Sequence, residues 1–352
     1  MTDPAAPLRL ILDSEALVSN WRALARMSGH ATCGAAVKAN GYGLGATGVA
    51  QRLAAAGCRD FFVASWGEAA ELAGQGLSVT VLHGVRDEDM AIAPHGAARP
   101  MLNSADQVRR WREGGGGRCD VMVDTGMNRL GVAPAEIAAG LLDGLEIEVL
   151  ASHLASADEP DSPLNVAQCA EFTALRGRTS AKRMSLANSA GIALGADYAF
   201  DLTRPGISLY GGIAAEAHRG AIRPVVTPQA QVLQRRRVPA GGIVGYNATF
   251  VAPRDMDVAV LNIGYADGYL RCFSSKGMAR FDGVEVPVIG RISMDLTAIA
   301  VDALPGLGEG DWVSLDYDLP ATSALSGLSQ YELLTGLGRR FDRVWTLASR
   351  FV

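Results

Sequence analysis

Residues 33–45 read CGAAVKANGYGLG, and the reading of this stretch decides the fold. Ala35, Ala36 and Val37 form a short apolar run that predicts a buried parallel strand, and Gly41, Gly43 and Gly45 mark a tight exit into a following helix. Lys38 falls where strand gives way to loop, with its amine aimed into whatever lies at that mouth. An ammonium removed from water without a partner is costly. A lysine so placed is therefore either a salt-bridge partner or a deprotonated nucleophile that joins a carbonyl as a Schiff base. Read alone, the stretch leaves both open.

Around it, strands and helices alternate. Residues 8–12 predict a leading strand, with Asp13 or Ser14 capping a helix whose apolar stripe is Leu17, Trp21, Leu24 and Met27. Further strands are expected at 33–38, 60–65, 78–83, 99–102, 119–124, 146–153, 181–187 and 200–209. Those eight, the first seven each followed by a helical segment, favour a TIM-type (β/α)8 barrel over an open doubly wound sheet. After about residue 220 the texture changes to short β-type runs separated by AGG, FDG and LGEG, with no long amphipathic helix until 329–338. The expected α/β organisation is thus a barrel over 1–220 and a mostly β C-terminal domain over 221–352. The leading strand 8–12 is a candidate to pack with the second domain.

Bulk properties narrow the function. A net charge of -5 and no basic cluster with interleaved aromatics exclude nucleic acid or an anionic membrane surface as the main partner. Five scattered cysteines without a CxxC pair fit reduced thiols rather than a disulfide frame or a zinc site, and no metal centre is expected. With no basic, apolar leader and no run of membrane-spanning length, a soluble cytoplasmic protein is expected.

In such a barrel, functional groups gather at the C-terminal ends of the strands. Lys38 ends the first, Asp124 the fifth with Arg129 in the loop beyond it, and His153 the sixth. Asn188 and Ser189 follow the seventh at a helix start, and Arg204 with Gly206 sits near the eighth. Individually each has a bland reading, His153 as a structural histidine and Arg204 as a salt bridge. Their joint placement on one rim is the signal. Ser189 at a helix start, with backbone N–H groups of Gly206 and Ile207, makes a phosphate cup. Together with Lys38 this suggests a phosphorylated aldehyde, for which pyridoxal 5'-phosphate (PLP) is the candidate. Residues 43–48 also match GxGxxG, but no acidic residue ends the next strand cleanly and a dinucleotide site leaves Lys38 unexplained.

With these residues in hand, the chain resembles the bacterial alanine racemases. The resemblance runs over essentially the whole length, through AAVKANGYGLG, VDTGMNRLGV (123–132), SHLASADE (152–159), ANSAG (187–191), RPGISLYG (204–211), VGYNATF (244–250), IGYADGY (263–269), GRISMDL (290–296) and YELLTGLGRR (331–340). It implies a PLP-bearing barrel, a β domain, and a homodimer in which each active site borrows residues from the other copy's β domain. By the same resemblance Lys38 is the Schiff-base lysine and one catalytic base, and Tyr246 the opposing base. Tyr42 and Ser189, with the backbone near Gly206 and Ile207, are phosphate ligands. Arg204 faces the pyridine nitrogen, His153 orders that arginine, and Arg129 lies near the cofactor's phenolic oxygen and the substrate carboxylate. Met294 and Tyr265 line the substrate space and entrance, and His83 falls near the cofactor face. The implied activity is interconversion of L- and D-alanine, for peptidoglycan or for alanine catabolism. A racemase of broader specificity, a PLP-dependent decarboxylase and a non-catalytic PLP-binding protein are the alternatives. Two positions depart from the family: Met122 stands where a carbamylated lysine is common, and Arg339 where a C-terminal tyrosine often meets the phosphate.

Overall fold

A computed structural model describes residues 6–346. Contacts divide the described residues into two compact units, one of residues 16–223 and one joining residues 6–15 with 224–346.

The first unit is the TIM-type barrel. Seven parallel strands pair in chain order: β3 (Ala35–Ala36), β4 (Asp60–Val63), β5 (Ser78–Val81), β6 (Arg99–Leu102), β7 (Cys119–Met122), β8 (Ile147–Ala151) and β9 (Arg183–Ser185). The side chains of β4, β6 and β7 are buried along their whole length, as befits a parallel sheet covered on both faces. A short β10 (Leu202–Thr203) pairs in parallel with β2 (Thr32–Cys33). Further bonds run from Gly34 N–H to Thr203 O (2.9 Å), Ala36 N–H to Pro205 O (2.9 Å) and Arg204 N–H to Ala187 O (2.8 Å), tying the last strand to both neighbours and closing the ring.

Three local expectations are corrected. The strand expected at 33–38 is split at Gly34, where a Cβ would lie 2.9 Å from both Asp60 O and the Phe62 ring, and Lys38 opens a turn instead of ending the strand. The strand expected at 200–209 stops at Thr203, because Pro205 has no N–H for the ladder; Ile207–Tyr210 is a 3-10 turn. After β5 the chain forms only 3-10 turns (Asp87–Ala91 and Ala93–His95), since its segment lacks a helical apolar stripe and carries Pro94.

The second unit is mostly antiparallel β. Its spine is β11 (Val226–Val238), thirteen residues that pair with β1 (Leu8–Leu12), β14 (Met256–Leu261) and β18 (Trp312–Leu315). Through β15 (Met278–Phe281), β16 (Val284–Ile289) and β17 (Thr297–Ala300) the pairing returns from β18 to β14, so six strands close on themselves. A closed ring leaves no edge strand in that cycle. The last strand, Asp342–Trp345, runs parallel to β1. A short helix at Leu319–Ser326, capped by Asp318 and with Pro320 in its first turn, precedes the helix Gln330–Thr335. Among the described residues no helix is long and apolar enough to cross a membrane.

Candidate active site

The chemistry of the barrel starts with the turn Lys38–Tyr42. Ala39, Asn40, Gly41 and Tyr42 all have left-handed backbones, with φ between 52° and 62°. For the three residues with a side chain this costs about 1–2 kcal/mol each, so the turn needs outside support. Glu68 supplies it. Its carboxylate accepts the Ala39 N–H (2.7 Å) and the Ala64 N–H beyond β4 (2.6 Å), and hydrogen bonds to a charged acceptor contribute about 1.5–3 kcal/mol apiece. Asn40 Oδ1 accepts the Ala46 N–H (3.0 Å), joining the turn to the next helix.

Among the described residues, the Lys38 amine has no hydrogen bond and no ion pair. Burial, and then the charge of Arg129, hold its pKa below the ordinary lysine value; Glu68 opposes them. Arg129 is delivered by a loop wound around Asp124, whose Oδ1 accepts the N–H groups of Gly126, Met127 and Asn128 at 2.9–3.0 Å. Gly131 closes that loop so tightly that a Cβ would lie 2.4 Å from Asp124 N. His153, two residues beyond β8, is pushed down to about 3 by burial first, then by Arg204, Arg129 and Lys38. It is therefore a neutral imidazole among three cationic groups. Arg204 is buried and lowered to about 10 by desolvation, so it stays charged at neutral pH. It donates to Ser185 Oγ and to Ser152 O (2.5 Å) and pairs with no carboxylate among the described residues. Two of its five N–H donors are thus spent, leaving it able to meet an uncharged acceptor.

On the far side of the rim, Asn188 caps the four-residue helix Ser189–Ile192 by accepting the Gly191 N–H (2.8 Å). Ser189 Oγ accepts the N–H groups of Gly206 (2.9 Å) and Ser208 (3.4 Å), so the Gly206 N–H is turned toward that hydroxyl and the serine O–H remains to donate. The Tyr42 ring stacks on Tyr210 at 4.6 Å, and a Cβ on Gly206 would lie 2.1 Å from Tyr42 Oη. Only glycine leaves room for the phenol there. A hydroxyl, a phenol and the opening N–H of the turn at Ile207 form a cradle for a phosphate, and Lys38 and Arg204 suit the aldehyde and ring nitrogen of PLP. The donor set fits that group.

The barrel therefore gathers Lys38, Tyr42, Arg129, His153, Asn188, Ser189, Arg204, Gly206 and Ile207 at the C-terminal ends of its strands. Met122 is buried in β7 and cannot carry a carbamate; His83 is exposed. Tyr246, Tyr265 and Met294 belong to the β unit, where they share one patch. Tyr265 N–H bonds Ser293 O (3.1 Å), Ala266 N–H bonds Met294 O (3.0 Å), and a Cβ on Gly290 would lie 2.6 Å from Val244 O. The patch is braced by Arg340, which holds Asp267 through two bonds (2.6 and 2.8 Å) and Asp295 at 2.7 Å. Tyr246 is 65% exposed and Met294 54%, with Ile243, Val251 and Leu296 also open; Arg339 points to solvent. In the sequence Glu68 has no role beyond its position after the second strand, although Ser65-Trp66-Gly67-Glu68 has capping-box spacing. Ser65 does accept the Glu68 N–H, but the carboxylate turns to Ala64 and Ala39.

These features define a class: a (β/α)8 barrel with a depressed-pKa lysine at its mouth, a buried arginine without a carboxylate partner among the described residues and a cradle suited to phosphate, joined to a β unit. Residues 12–214 match the model of the alanine racemase N-terminal domain, and residues 225–345 that of the alanine racemase C-terminal domain. The chain is 40% identical to an alanine racemase of Acidiphilium cryptum, over 95% of this chain and 98% of the relative. It is 41% identical to a catabolic alanine racemase of Agrobacterium fabrum, over 95% and 91%. The crystal structure of alanine racemase from Bartonella henselae with covalently bound pyridoxal phosphate superposes with a TM-score of 0.86 at 34% identity, covering 97% of this chain and all of that one. The chain belongs to the alanine racemase family.

Proposed function

We propose that this protein interconverts L- and D-alanine with PLP, using two bases on opposite faces of the α-carbon. The observation that carries the reading is Lys38: a partly buried amine with no bonded partner among the described residues, its pKa held down by burial and by the charge of Arg129, at the mouth of the barrel. PLP, when bound, supplies an electrophilic aldehyde and an electron-withdrawing ring that acidifies the α-hydrogen of an amino acid joined to it. Lys38, Tyr42, Ser189, Arg204 and the backbone N–H of Ile207 would hold it, with Gly206, whose own N–H is given to Ser189, leaving room for the Tyr42 phenol. Asn188 serves by fixing the helix start that presents Ser189.

Lys38 Nζ takes or returns the α-proton on the D side, and Tyr246 Oη does so on the L side. An amine and a phenol with reference values near 10 are weak bases at neutral pH. Burial and Arg129 lower the lysine. Arg129 holds the substrate carboxylate. Arg204 is a poor proton donor toward a ring nitrogen, which limits delocalisation and keeps side reactions such as transamination down. His153 stays neutral near that arginine and adds no further positive charge. Tyr265 and Met294 line the entrance.

Tyr246 comes from a second copy of the chain. The exposed Tyr246, Met294, Ile243, Val251 and Leu296 form an apolar surface suited to a partner, and the homodimer shares its two sites. Five free thiols fit the cytoplasm. The product supplies peptidoglycan, or the enzyme feeds alanine catabolism.

The test is direct. L-alanine incubated with the protein becomes a mixture of both enantiomers, and borohydride reduction leaves the cofactor's mass on the peptide containing residue 38. Alanine that stays enantiomerically pure, with no cofactor mass on that peptide, refutes the reading.

A further inference from the structure

Among the described residues, the carboxylate of Glu68 is the acidic group whose charge reaches Lys38, and it touches backbone on both sides of the strand pair that carries the lysine. Ala39, directly after Lys38, gives Glu68 its N–H at 2.7 Å; Ala64, at the end of the neighbouring strand, gives its own at 2.6 Å. Between Lys38 and Gly43 the chain runs through four left-handed residues, three of which carry side chains that disfavour that conformation. Ser65 pins the start of the Glu68 helix, so the carboxylate projects from a fixed point.

We infer that Glu68 is a positioning residue: by clamping Ala39 and Ala64 it holds the left-handed turn that aims Lys38 Nζ and seats Tyr42 against Gly206. Its negative charge also opposes Arg129 at the lysine, balancing an amine free enough to act as a base against one protonated enough to give the proton back. This deepens the racemase reading and rests on it for the reaction. The clamp itself is a property of the chain without cofactor.

The chain has only three lysines, Lys38, Lys182 and Lys276, so amine labelling resolves each by peptide mapping. In the full-length, cofactor-free protein, Glu68→Ala speeds amide hydrogen exchange across residues 37–43 at least tenfold and leaves residues 46–56 unchanged. Glu68→Gln keeps the size, loses the charge and leaves one oxygen to accept only one of the two N–H groups, so the pH midpoint of Lys38 labelling falls while Lys182 and Lys276 keep theirs. In the loaded enzyme Glu68→Gln lowers kcat about tenfold with KM within about twofold, because the base and not the substrate is displaced. Wild-type exchange across 37–43 in Glu68→Ala, an unmoved Lys38 midpoint in Glu68→Gln, or unchanged kcat each overturns the inference. Failure of the racemase reading shows separately, as wild-type protein that leaves L-alanine untouched.

Discussion

His153 shows how one residue's surroundings set its chemistry. Burial and three neighbouring cations depress its pKa to about 3, far below the value of an unfolded histidine. Above about pH 6.5 both folded and unfolded states carry it neutral, and it adds no pH dependence. As pH falls from there toward 3, the unfolded state binds a proton that the folded state refuses, so stability drops by up to about 1.4 kcal/mol per pH unit. His153→Asn removes that slope. Urea midpoints of the cofactor-free protein at pH 7 and pH 5 should differ less in the variant than in the wild type, and equal differences refute the assignment. Lys38 and Arg204 were visible in the sequence as types at strand ends. That Arg204 bonds no carboxylate among the described residues depends on which side chains surround it, which no local pattern records.

At the scale of the element, the turn after Lys38 and the turn at Gly206 are built against each other. Gly206→Ala puts a methyl into the space of Tyr42 Oη, 2.1 Å from the ideal Cβ. The phenol must shift and the cradle opens, so PLP affinity should fall at least about tenfold, read by fluorescence titration of the cofactor-free protein. Wild-type affinity would show that Tyr42 is not a cofactor ligand. The glycines of 33–45 announced a loop correctly, yet their spacing does not reveal a left-handed turn that includes Ala39, Asn40 and Tyr42. Side chains tolerate that conformation only with outside bonds, here from Glu68, nearly thirty residues away. The same holds for the broken first strand: Gly34 is legible as a glycine, but the need for it comes from Asp60 and Phe62 across the sheet.

For the whole molecule, the decisive prediction concerns which copy supplies Tyr246. If each site pairs Lys38 of one chain with Tyr246 of the other, Lys38→Ala and Tyr246→Phe chains are each deficient alone. Mixed and reassociated one to one, half of the dimers are hybrids with one intact site in two, giving roughly a quarter of wild-type activity. Mixtures no more active than either variant place both bases in the same chain. Aspartate–arginine pairs inside the β unit, Arg340 with Asp267 and Asp295 foremost, hold the Tyr265 and Met294 loops together. Their partners lie 73 and 45 residues apart, a separation at which sequence reading offers motifs but not contacts.

By itself the sequence determined the alternation of strand and helix, the change to β texture near residue 220, and the residue types at the strand ends, because periodicity and turn chemistry are local and cumulative. The α/β barrel with a mostly β partner was legible for that reason, and long ordered motifs carried the family. Only the tertiary structure decided the closure of the barrel through short, interrupted strands, the neutral state of His153, the direction of the Gly206 N–H and the clamp from Glu68. Each of these is set by atoms brought within a few ångströms from distant parts of the chain, where desolvation and steric exclusion act and local propensity has no say.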